Sequence, residues 1–223
     1  MARRLRDNGL SIVLAAVFAA CMLAQTWAGQ VLHNDERRQH GESPLSMAEY
    51  LRSGHFWEAT AENWESEFLQ MAAYVLLTVA LFQKGSSESK DPGRKEAVDR
   101  DPRGARGRAR AEAPWPVRRG GWILKLYEHS LSLAFLALFL VSFWIHAAGG
   151  ARAHNAEELL HGGTALTVSE YLATSQFWFE SFQNWQSEFL SLVAMVVLSI
   201  WLRQRGSPES KPVDAPHAQT GSE

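Results

Sequence analysis

The chain has 223 residues, 46% of them hydrophobic and 11% aromatic, with 22 Lys and Arg against 24 Asp and Glu, a formal net charge of −2 and one cysteine. A single cysteine, Cys21, excludes an intramolecular disulfide and a cysteine metal cluster, and nothing in the charge balance calls for a nucleic-acid partner. The mean hydropathy of −0.19 averages sharply segregated apolar and charged stretches, so the chain has to be read segment by segment.

Residues 9–32 form the first nearly charge-free stretch and reach the ~20 residues that cross a bilayer core. The basic start MARRLR and the run FAAC at 18–21 also fit a secretory signal. An internal duplication argues for a retained span instead. Sliding the chain by 121 positions aligns 5–90 with 126–211 without a gap, and 33 of the 86 aligned positions are identical. The counterpart of the first span is internal and carries Ser142 where Cys21 stands.

Next come HNDERRQHG and its counterpart HNAEELLHG, which hold the histidine and glutamate sets His33, Glu36, His40 and His154, Glu157, His161. If the preceding helix continues outward, each set shares one helical face, and these six residues are the weak metal candidates. Their spacing matches no specific metal motif, so the identity of a metal, and its presence, stay open.

Ser46 with Glu49, and Thr167 with Glu170, make capping boxes stapled by Leu45 and Tyr50 or Leu166 and Tyr171. Helices are therefore expected over 46–62 and 167–183. Apolar residues recur along them at three-four spacing, with an acidic face opposite. Trp57, Trp64, Trp178 and Trp185 read as anchors at a membrane interface, where indole rings settle at the headgroup level. The segments then pass through Asn63-Trp64 and Asn184-Trp185 into apolar runs, predicting spans at 63–83 and 184–203 beside those at 9–32 and 129–151.

Glu67 and Glu188 stand at the entry of the later spans, where a carboxylate is costly unless it faces a polar interior or holds a proton. With Asn63 and Asn184 they are the candidate ligands for a proton or small cation. Polar stripes descend from them through Gln70, Tyr74 and Thr78, or Ser191, Met195 and Ser199. Matching stripes run along the first span of each half, through Ser11, Phe18, Gln25, Gly29 and His33, or Ser132, Phe139, His146, Gly150 and His154. Such stripes suit helix–helix packing in a bundle.

Lysine and arginine cluster at the chain start, after the second span, before the third and after the fourth, whereas 33–64 and 152–185 are acid-rich. The bias puts both termini in the cytoplasm and makes the two halves parallel repeats. Residues 86–121, dense in Gly, Pro and mixed charge, read as a disordered cytoplasmic linker, and 207–223 as a disordered tail. The units are thus 1–85 and 122–206.

At NWESEFLQMAAYVLLTVALFQKGSSESK, repeated in outline at 184–211, the chain resembles a family of small bacterial inner-membrane proteins to which no activity is assigned. The resemblance covers both hairpins and implies an inner-membrane location. The second half departs from it at Gln183, Gln186 and Ser191, where the first has Glu62, Glu65 and Gln70.

The expected fold is an all-α membrane protein with four transmembrane helices from two tandem parallel repeats, each with an external amphipathic helix. No Ser-His-Asp set, phosphate loop, CxxC or H-E-x-x-H motif is present, so neither an enzyme nor a cofactor is expected. The functional expectation is proton or small-cation handling in an outward acidic vestibule. The alternative is an accessory protein that docks lipid or another membrane protein through its aromatic helices. Expected partners are the lipid bilayer, a small cation, and a membrane protein or second copy.

Overall fold

Glycines in the left-handed region close the first long helix of each half. A computed structural model describes residues 2–104 and 111–221. Helix α1, Ala2–Gln39, kinks at Asn8 and runs past the expected span because nothing in 33–39 breaks it. Gly41, at φ 76°, turns the chain, and Glu42 N–H caps the Arg37 carbonyl at 2.8 Å. Gly162, also at φ 76°, does the same after the later helix Ser130–Leu160, with Gly163 N–H on the Glu158 carbonyl at 2.8 Å.

Both capping boxes form. Short helix α2, Met47–Tyr50, starts at Ser46, whose hydroxyl accepts from Glu49 N–H while the Glu49 carboxylate accepts from Ser46 N–H at 2.8 Å. The Ser46 hydroxyl, followed by its backbone N–H, holds the Glu49 carboxyl below its ordinary value. For Glu170 the Thr167 backbone leads and the hydroxyl follows. Both caps therefore contribute above the ordinary glutamate value of 4.5 and weaken as pH falls through the lowered ones.

The helices expected over 46–62 and 167–183 do not continue as single elements. Each stops after one turn because a second cap follows: the Ser53 hydroxyl bonds the Tyr50 carbonyl at 2.6 Å and accepts from Phe56 N–H at 3.2 Å. Thr174 repeats this with Tyr171 and Phe177 at 2.7 and 3.3 Å. These caps launch α3, Gly54–Ala80, which unites the rest of the expected external helix with the second span. After turns at Ala97–Asp99 and Pro102–Gly104 come α4, Trp115–Arg119, and α5, Gly121–Glu128. Then follow α6, Ser130–Leu160, α7, Val168–Tyr171, and α8, Ser175–Leu198. Among the described residues the chain is all-α. Part of the expected linker, 105–110, lies outside them.

Two compact units result: 1–61 with 144–177, and 62–143 with 178–223. In the first, Asn34 and Asn155 replace missing backbone partners. The Asn34 amide donates to the Leu45 carbonyl at 2.9 Å and accepts Leu45 N–H at 2.7 Å, and Asn155 treats Leu166 identically at 2.8 and 2.7 Å. Each loop is thereby clamped to the helix before it. Here also the N-terminus of α3 lies against the end of α6: a Cβ on Gly149 would sit 2.6 Å from Glu58 N, and one on Gly54 2.6 Å from the Gly149 carbonyl. Only glycine permits this backbone contact.

Helices α1 and α6 are long and apolar enough to cross a membrane, at mean hydropathies of 2.0 and 2.1 over their best windows. The stripe expected to pack behaves differently on each. On α6, Ser132, His146 and Gly150 are buried. On α1, Ser11, Phe18 and Gln25 are exposed, as are neighbours such as Leu10 at 76% and Leu23 at 73%. That uncovered apolar helix suits lipid or another protein surface, not water.

In the second unit the C-terminal segment, expected to lack structure, is tied down by Lys211. Its side chain is buried and its ammonium donates to the carbonyls of Gly85, His217 and Gln219, the last two at 3.0 and 2.9 Å. Gly85 N–H donates to the Thr220 hydroxyl at 2.9 Å, and Gly221 N–H to the Ser86 carbonyl at 3.0 Å. One lysine thus offsets the low apolar content of the tail.

Asn34→Ala and Asn155→Ala are each expected to lower the unfolding free energy by about 1–3 kcal/mol, the cost of stranding partly buried backbone groups, as read from thermal unfolding in detergent. Lys211→Met strands several carbonyls at once. It should make the segment after residue 205 about tenfold more susceptible to limited proteolysis, with the helical circular dichroism unchanged.

Candidate functional site

The first unit contains a cleft of about 600 Å³ between the end of α1, the start of α3 and the end of α6. Its lining is dominated by ionisable side chains, among them His33, Glu36, His40, His55, Glu58, His154 and Glu157. The capped turns position them. Tyr50 is buried at the end of α2, and its hydroxyl lies 3.3 Å from His55 Nδ1. Tyr171, buried at the end of α7, instead donates to Glu58 at 3.0 Å. Arg152 reaches the Arg52 carbonyl at 2.7 Å, and Arg37 pairs with Glu42 at 2.8 Å.

Within the cleft the His33 and His55 rings stack at 4.6 Å between centroids. Glu36, one turn beyond His33 on α1, brings a carboxylate oxygen to 3.8 Å from His33 Nδ1, beyond hydrogen-bonding distance. Burial pushes the His55 imidazole below its ordinary range, and neighbouring His33 acts in the same direction. Burial also raises the Tyr50 phenol, with Glu36 adding to it, so Tyr50 stays a neutral hydroxyl.

Of the six histidine and glutamate candidates, His33 and Glu36 come together. His40 does not join them and instead meets His161 edge to face at 5.9 Å. His154 packs toward Tyr171 at 5.8 Å, Glu157 is exposed, and the His161 ring bonds the Glu157 carbonyl at 3.0 Å. The third member of the first cluster is His55, which sequence spacing missed. It stands 22 positions from His33, and its counterpart in the second half is Gln176, so comparing the halves concealed it.

In the second unit the Glu67 and Glu188 carboxyls are close neighbours. One turn along, the Gln70 amide donates to the Ser191 hydroxyl and the Glu188 carbonyl, both at 2.9 Å. Of the two asparagines, Asn63 is exposed, and the Asn184 amide donates to the Glu180 carbonyl of its own helix at 3.1 Å. A further carboxylate that sequence reading noted only as a difference between the halves, Glu65, is fully buried and accepts Trp185 Nε1–H at 3.0 Å. Its spacing of four and seven from the buried Ala61 and Ala72 is the signal that could have found it.

The four tryptophans also separate. Trp57 and Trp178 are partly exposed, Trp64 is half-buried, and Trp185 is drawn inward by Glu65 and by edge contacts to Phe182 and Trp178 at 5.4 and 6.3 Å.

No curated protein and no solved structure matches the chain. The motifs NWxSEFL and GSxESK and both hairpins nevertheless fall inside one continuous family match, over residues 1–222, and the chain belongs to that family, described as Domain of unknown function (DUF6766).

Proposed function

We propose that the chain is a multi-pass inner-membrane protein of bacterial type, built from two parallel hairpin repeats with both termini in the cytoplasm, that handles protons or small cations at the Glu67–Glu188 carboxyl pair. The observation that carries the reading is that those two carboxyls stand side by side, with Gln70 bonded to Ser191 and to the Glu188 carbonyl one turn along. Two carboxylates held side by side repel, and a proton shared between them relieves the repulsion. Such a pair can bind and release one proton, or exchange it for a small cation, without both charges ever being bared at membrane depth. The Gln70 amide, bonded beside it to the Glu188 carbonyl, fixes the helix that carries Glu188.

Duplication is supported by which residues meet. Glu67 with Glu188, Gln70 with Ser191 and His40 with His161 are all contacts between positions 121 apart. Contact between equivalent positions is what a pseudo-twofold relation between parallel repeats produces. Spanning by α3 and α8 is supported by their lengths of 27 and 24 residues and by exposed apolar side chains such as Leu76 and Leu190.

A second reading has its own observation. Phe179 and Phe182 stand exposed on α8, at 69% and 56%, next to the partly exposed Trp178. Such a surface suits lipid or a second membrane protein.

Reporter fusions at both termini should report the cytoplasm. Proton and monovalent-cation flux into liposomes containing the purified protein should fall at least tenfold in the Glu67→Gln/Glu188→Gln variant, which keeps a neutral hydrogen-bonding pair and so the fold. Equal flux in variant and wild type, or none for either across the panel, would reject the carboxyl-pair reading. Damage confined to Trp178→Ala or Phe182→Ala would favour the docking one.

A further inference from the structure

We infer that His33, Glu36 and His55 form a binding site for one divalent transition ion of the zinc class, open to the cleft of the first unit. The inference does not rest on the Glu67–Glu188 reading, which concerns other residues. One ligand atom from each of the three side chains lies within 4.8 Å of the others, and two of them are already 3.8 Å apart. Donors around a tetrahedral ion with bonds of about 2.0–2.2 Å stand roughly 3.4 Å apart, so small side-chain rotations close the set. Two imidazoles and a carboxylate are a donor set of intermediate softness, suited to zinc and its first-row neighbours and poorly suited to calcium or magnesium.

Two further observations point to a ligand. His33 Nδ1 is buried and has no hydrogen-bond partner among the described residues. A buried ring nitrogen left in that state is costly, and coordination to a metal removes the cost. The Tyr50 hydroxyl, 3.3 Å from His55 Nδ1, is the kind of outer partner that fixes the tautomer and orientation of a metal-bound imidazole. The buried Tyr50 ring, seated against Gly29, makes that partner rigid.

The site is specific to the first half. His154 and Glu157 copy His33 and Glu36, but Gln176 replaces His55, and Tyr171 is engaged by Glu58 in place of a histidine. One site of this kind per chain is therefore expected. Three protein ligands also leave a coordination position facing the cleft, where water or a small anionic ligand would complete the shell.

Isothermal titration of Zn2+ into the purified, chelator-stripped full chain in detergent tests the site. One equivalent should bind. His33→Ala and His55→Gln should each weaken binding by roughly 100-fold or more, and Tyr50→Phe by about 10–100-fold, the usual loss for an outer-shell partner. His55→Gln installs the residue that stands at the equivalent position of the second half, so the fold has a precedent for it. His40→Ala and His161→Ala should leave affinity and stoichiometry unchanged. Absence of stoichiometric binding to the wild type, or binding equally strong in His33→Ala and His55→Gln with helical circular dichroism intact, would overturn the inference.

Discussion

Each of the two capped turns ends in a tyrosine that can be buried only because glycine stands opposite it. A Cβ on Gly29 would run into the Tyr50 hydroxyl, and one on Gly150 would lie 2.5 Å from the Tyr171 ring and 2.7 Å from the Glu58 carboxylate. Much of the first unit follows from that seat. With the tyrosine ring fixed, its carbonyl becomes the acceptor for Ser53 or Thr174, and the same hydroxyl then caps the long helix that follows. The turn therefore sets where α3 and α8 begin, and with them where His55 and Glu58 enter the cleft. The asparagine clamps hold the other side of each turn, so neither end of the loop is free to move the site.

The two halves use this scaffold differently. In the first, the tyrosine hydroxyl faces a histidine; in the second, it donates to a glutamate. A hydroxyl can serve either partner because it is both donor and acceptor, whereas a phenylalanine could serve neither. The same frame thus supports a histidine pair beside Tyr50 and a hydrogen-bonded carboxylate, Glu58, beside Tyr171.

What the sequence made legible was local. Both capping boxes and the apolar lengths of α1 and α6 depend on residues within a few turns of one another. Three features were hidden because they depend on tertiary partners. The Ser53 and Thr174 caps interrupt a clean three-four apolar pattern without altering it, so the pattern ran on past the real helix start. His55 joins His33 only through the fold. Lys211 sits in a segment of tail-like composition, and the ring of carbonyls around its ammonium gives that segment a reason to be ordered. The α1 stripe erred the other way: it has the same spacing as its buried copy on α6, but spacing cannot say whether a neighbour is present.

Where positions 121 apart touch in this chain, side chains of the same kind can meet and must then complement one another. A lysine would repel its duplicate, and a lone carboxylate would as well. A carboxyl pair that shares one proton can act as donor and acceptor at once, and an imidazole can set its ring edge against the face of another. Among the described residues Glu67 neighbours Glu188 and His40 meets His161 in this way. Where the halves have diverged, at Gln70 and Ser191, a long amide reaches a short hydroxyl, a pairing that two glutamines would crowd. Self-complementarity thus gives a physical reason why glutamic acid and histidine can stand at these contacts.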